Sequence, residues 1–280
     1  MHVRGWTAAI AGTALALCSL SLAYLGSSRA LAENKATAAQ QTLRVALGHR
    51  TALMALLREE PLGRLAIDPS MSTLGDDRIA LVDYRLKIDR ALAGLSRDQS
   101  ALARSRRNLQ LPEWLALAHQ PALPQERRRL TLAADGLQSA RSALAIKQRQ
   151  AELVEIILDG VGTLVQMTPD IERADWDGAL DLYGRAQVDV RAADALAATA
   201  EVPPPVRDFV ANLELSLEHV NALVQAAASR NLPAVDRLTG VVEEDGQALA
   251  GFDPGPAEAW NAVRLEPLIA AYQTALRSAG

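Results

Sequence analysis

The feature that most constrains this chain is a seven-residue apolar repeat in its middle. Leu130, Leu137, Leu144, Ala151, Leu158 and Val165 recur every seven residues, and Ala133, Ala140, Lys147, Val154 and Val161 occupy the alternate seam. A mean spacing of 3.5 keeps side chains on one helix face, whereas a strand buries every second residue. The pattern predicts a helix from after Pro124 to about Thr168, 44 residues and about 66 Å long. Gly160 and Gly162 mark a candidate break, because glycine weakens a helix interior.

A narrower stripe precedes it. Asp76 and Asp77 suit a helix start, where acids meet the positive end of the dipole. Leu81, Ile88, Leu95, Leu102 and Leu109 then recur by seven, with Tyr84 and Ala91 between them, and the seam thins at Asp98 and Ser105 before Pro112. Residues 34–60 read as an earlier helix carrying Leu43, Leu47, Met54 and Leu57 on one face, ended by Pro61 and Gly63. Residues 61–76 read as a loop, and so does 112–124, where Pro112, Pro121 and Pro124 surround Trp114.

The remainder has shorter amphipathic segments at about 175–199, 206–229, 232–250 and 256–278. Pro169, Pro203 to Pro205, Asn231 to Pro233 and Asp253 to Pro256 separate them. A weak internal repeat runs through this part. Gly162 to Gln166 resembles Asn221 to Gln225, and each is followed by a helix start, at Asp175 and Asn231, with offsets of 59 and 56 residues. Tandem helical hairpins are the expectation. The ten residues Ala174 to Tyr183 resemble the helix opening of tetratricopeptide-like hairpins. The period does not fit an array of 34-residue units, so no family follows from it.

Aromatic residues are 4% of the chain against 49% apolar overall. A core of Ala, Leu and Val suits close helix packing, and no stretch alternates as a strand would. The expected fold is all-α. Residues 1–32 form a signal anchor or signal peptide, 33–168 a long antiparallel, coiled-coil-like region, and 169–280 a compact helical-hairpin domain.

Gly5 to Ser28 is a run of 24 residues without a charge. As a helix it reaches about 36 Å, enough for a hydrocarbon core of about 30 Å. Secretory apolar regions are shorter, so an uncleaved single-pass anchor is expected, with Trp6 and Tyr24 near the interfaces and the body extracytoplasmic. The alternative is an exported protein cleaved after Ala32, at Ala30-Leu31-Ala32. Arg29 stands against that cut. The one cysteine, Cys18, lies inside this run with Leu17 before it, which is not a lipoprotein pattern. The body therefore has no thiol for a disulfide, a zinc site or a nucleophile.

The net charge of −4 conceals a segregation: +3 over residues 1–96, +6 over 97–150 and −13 over 151–280. Basic clusters at Arg104, Arg106 and Arg107 and at Arg127, Arg128 and Arg129 flank the proline loop. They are candidate contacts for an anionic partner such as lipid headgroups, an envelope polymer or an acidic protein. Helix-stacking aromatics for nucleic acid are missing, so nucleic acid is not expected. Trp176 and Trp260 are candidate pocket aromatics.

No phosphate-binding, nucleotide-binding, esterase or zinc-protease motif occurs. His2, His49, His119 and His219 show no metal spacing, and the Glu214, Glu218, His219 stripe lacks the second copy a di-metal bundle needs. No catalytic, cofactor-binding or metal residue is therefore assigned. The sequence favours a non-enzymatic, membrane-tethered interaction or scaffold module, with a protein partner or self-association through its helices. A small-ligand sensor working through a partner is the alternative, and an enzyme with an unrecognised site is the third.

Overall fold

The computed structural model describes residues 3–66, 73–110 and 122–280, with side chains from residue 26 onward except residue 122. Eight α-helices follow in order: α1 Val3–Gly48, α2 Arg50–Arg58, α3 Leu74–Asn108, α4 Ala122–Glu172, α5 Trp176–Ala197, α6 Pro204–Ala228, α7 Leu232–Ala250 and α8 Gly255–Ala279. A 3-10 turn at Pro61–Leu65 lies between α2 and α3. No strand occurs among the described residues, so the all-α expectation holds. The side chains of residues 3–25 and the proline loop with Trp114 lie outside the described set.

Both heptad seams are interior. Leu130, Ala133, Leu137, Ala140, Leu144, Lys147, Ala151, Val154, Leu158 and Val161 are all buried, and only Val165 emerges. The stripe is thus used up by packing within the chain itself. Leu81, Tyr84, Ile88, Leu95 and Leu102 of α3, and Leu109 just past its end, are buried in the same way. The break expected at Gly160 and Gly162 does not occur; the helix runs on to Glu172. Pro169 does not end it either. Proline lacks its own N–H, but its carbonyl still accepts from Arg173 N at 3.1 Å and completes the turn. The single helix expected over 34–60 is instead split at His49. His49 leaves the helix and its Nδ1 lies 2.9 Å from Asp98 Oδ2.

The expected membrane-targeting helix gains no support. No helix among the described residues is long and apolar enough to cross a membrane. Its key side chains, up to residue 25, are not among them.

The chain divides into two compact units, each assembled from separate stretches. Unit 1 comprises residues 1–51, 94–139 and 271–280. Its α1 buries Ser28, Ala32, Ala36, Ala39, Leu43 and Ala46, a stripe of small residues that permits close approach. Gly136 of α4 makes the tightest such approach: a Cβ placed there would sit 2.7 Å from Ala275 Cβ on α8. Tyr272 beside it is fully buried.

Unit 2 comprises residues 52–93 and 140–270. Its second half repeats one helix-to-helix linker. At the end of α4, Asp175 N donates to Asp170 O at 2.9 Å and Ala174 N to Ile171 O at 3.0 Å. At the end of α6, Asn231 N donates to Ala226 O at 2.9 Å and Arg230 N to Ala227 O at 3.0 Å. Both are Schellman turns whose left-handed residue is not glycine: Ala174 has φ 59° and Arg230 φ 57°. The residue after each caps the next helix, Asp175 accepting from Gly178 N and Asn231 from Ala234 N. The same linker therefore recurs 56 residues apart.

Gly136→Ala is expected to destabilise the protein by about 1–3 kcal/mol, because the added methyl overpacks a helix contact that cannot yield cheaply. Gly184→Ala on α5, where a Cβ meets nothing within 4 Å, is expected to stabilise it by about 0.5–1 kcal/mol through helix propensity. Urea denaturation of both variants measures the contrast.

Candidate functional site

The six arginines singled out by sequence fall in unit 1 and separate into three roles. Arg129 is occupied internally. Its Nη1 donates to Glu126 Oε1 at 3.0 Å, its Nε to Ala279 O at 2.7 Å and its Nη2 to Gly280 O at 2.6 Å. It ties the end of α8 to α4, while Gln40 of α1 donates to the same Glu126 oxygen at 3.0 Å. Arg106, Arg127 and Arg128 are exposed and are not part of the groove described next. Arg104 and Arg107 line an open groove of about 870 Å³.

The groove is built by two helix faces. Asn34, Lys35, Ala38 and Thr42 come from α1; Ala101, Arg104, Ser105 and Asn108 come from α3 at helical spacing. Lys35 was not singled out by sequence. Its Nζ donates 2.7 Å to Gln110 O just beyond the end of α3, neutralising a carbonyl at the negative pole of that helix. Among the described residues no Asp or Glu lines the groove. Two guanidinium forks, an ammonium, amides and hydroxyls therefore converge with no internal anion. That donor set suits an anionic group with several oxygens, such as phosphate or carboxylate.

Unit charge follows the same division. Unit 1 holds 13 Lys and Arg against 5 Asp and Glu, a net +8; unit 2 holds 16 against 28, a net −12. The opposite charges are therefore segregated between units and not balanced within each.

Unit 2 contains a buried polar layer that sequence placed in the seam without explaining. Lys147 of α4 has no exposed surface. Its Nζ lies 2.6 Å from Glu60 Oε1 and donates to Glu59 O at 2.7 Å. One turn further, Gln150 and Asn261 exchange two hydrogen bonds of 2.7 and 3.1 Å, and Gln150 also donates to Glu201 O at 3.1 Å. Burial pushes the Lys147 pKa below its ordinary value of 10.5, partly offset by Glu60 and Glu258. Burial also pushes up Tyr84, whose hydroxyl donates to Leu56 O at 3.0 Å, and Tyr272, raised to about 12.

Trp176 and Trp260 have different neighbours. Trp176 packs against Met167, Ala179 and Val224. Trp260 lies under the Arg264 guanidinium, 4.7 Å from the ring centre, and that arginine also donates to Ala200 O. His219 Nδ1 pairs with Asp245 at 2.7 Å and with neither Glu214 nor Glu218. Among the described residues no group of three His, Cys, Asp or Glu is placed to hold a metal ion. No family model, curated protein or solved structure matches the chain.

Glu60→Ala is expected to destabilise the protein by about 2–3 kcal/mol. It strands a buried ammonium, with some discount for the partial exposure of Glu60. Lys147→Met removes the charge and is expected to stay within about 1 kcal/mol of the parent at pH 7. The pH dependence has a definite sign. Between the lowered native pKa and 10.5 the unfolded chain binds the extra proton, so this lysine's contribution to stability rises with pH. The two tyrosines act oppositely above pH 10 in both proteins. Lys147→Met should therefore lose ground to the parent as pH is raised toward 10.5 in parallel urea titrations.

Proposed function

We propose that the chain is a non-enzymatic interaction module tethered to a membrane, with its helical body outside the cytoplasm, and that the unit 1 groove takes anionic headgroups of that membrane. The observation that carries this reading is the groove itself: Arg104, Arg107 and Lys35 line it, no acid does so among the described residues, and its unit has a net +8.

Continuity of α1 supplies the link to a lipid surface. The uncharged run ends at Ser28, and the groove residues Asn34 to Thr42 follow on the same helix. They lie about 9–21 Å along the axis. The nearest of them is thus roughly one Debye length, about 8 Å, from the end of a spanning segment. Packing also favours an uncut chain, since Ser28 and Ala32, which a cut after Ala32 would remove, are buried in unit 1. Self-association through the α4 heptads draws no support from a stripe that is already buried.

The test is thermal unfolding of the full chain in neutral detergent with added phosphatidylglycerol or phosphatidylcholine. Phosphatidylglycerol alone is expected to raise Tm by a few degrees, less so in high salt. The double variant Arg104→Glu, Arg107→Glu should abolish the difference. Equal shifts with both lipids, or a shift that survives the double variant, would reject the reading.

A further inference from the structure

We propose that unit 2 carries a separate site for a small, uncharged, largely apolar molecule with one polar end, in the cavity that α7 covers. The cavity measures about 410 Å³ and is walled by α4, α6 and α7. Phe209 and Leu213 of α6 form its closed inner wall with Ser216; Val165 and Thr168 of α4 stand at its exposed mouth. Such a volume lies in the range of small-molecule sites.

Helix α7 shows why this space is unlike an ordinary packing gap. It is amphipathic and 19 residues long, yet none of its residues is fully buried. By contrast α6, which it packs beside, buries eight. Its apolar side chains Val242 and Leu249 face the cavity, and a Cβ built at Gly246 between them meets nothing within 4 Å. Empty apolar space forfeits dispersion contacts along its whole lining. The helix is nonetheless held in place: the Schellman turn at Arg230 fixes its start, and His219 with Asp245 ties its C-terminal half to α6 at 2.7 Å. An occupant would supply the contacts the chain lacks.

The lining sets the chemistry of that occupant. Among the described residues no Lys, Arg, His, Asp or Glu lines the cavity, and the polar side chains that do are Thr168 and Ser216. A charged ligand would be desolvated without a counter-charge. One hydroxyl or carbonyl can meet either side chain, each of which donates and accepts. A peptide helix is too large: at 10–12 Å across, about one turn of it fills 410 Å³.

The experiment uses the full chain in phospholipid nanodiscs, which avoids detergent monomers, with 1-decanol and decanoate as probes. Saturable stabilisation by 1-decanol, about 3 °C or more, with no saturable shift from decanoate, is expected. Gly246→Leu should fill the open space and abolish the 1-decanol shift while the helical circular dichroism and cooperative unfolding persist. Val165→Phe, which blocks the mouth, should do the same if Gly246→Leu fails to fold. Absence of a saturable 1-decanol effect on the parent, or an equal effect on both filled variants, overturns the proposal. Neither result bears on the lipid-headgroup groove, whose arginines lie in unit 1 and are unchanged.

Discussion

A lysine ammonium buried among leucines must find an oxygen or lose its proton, and unit 2 is arranged around that requirement at Lys147. The side chain projects from the centre of α4, and its oxygens come from the short segment between α2 and the 3-10 turn: the Glu59 carbonyl and the Glu60 carboxylate. Meeting them brings Leu62 and Leu65 fully into the core, although the same segment has prolines and glycine that read as a plain loop. Tyr84 uses the next available carbonyl, Leu56 O. One turn along α4, Gln150 repeats the device with Asn261. A paired polar layer of this kind adds little net stability against an apolar core, but it fixes which helix faces meet and in what register.

Periodicity made much of this legible in advance. Ten seam positions of α4 and five of α3 are buried as spacing predicts, and the four C-terminal helices start and stop within a few residues of the expected bounds. Those bounds carry strong local signals: Asp175 and Asn231 as caps, Pro204 and Pro233 in first turns. What escaped was non-local. At the split, His49 pairs with Asp98, 49 residues away. The requirement for glycine at 136 depends on Ala275, on another helix. Two units assembled from five stretches leave no boundary signal in the chain, because α3 and α4 pass through both.

Of the candidate site, charge clusters were visible and their roles were not. Six neighbouring arginines look alike in sequence, yet Arg129 fastens the end of α8 while Arg104 and Arg107 line the groove. Lys35 was passed over because it stands alone in sequence; only the pairing of α1 with α3 brings it there. The charge segregation by sequence position turned out to map onto compact units, +8 and −12. A field of one sign over one unit attracts anions at a distance, and the proposed headgroup site lies in the positive unit.

The central claim is that this groove meets a lipid surface, and depth measurement by spin labelling tests it most directly. A nitroxide at Ser105→Cys, with Cys18→Ala to remove the other thiol, would be read in the reconstituted full chain. The account predicts strong relaxation enhancement from a nickel chelate fixed on lipid headgroups, as for a site within about 10–20 Å of the interface on the α1 axis. A label that responds to soluble nickel complex but not to the headgroup-bound chelate would contradict it.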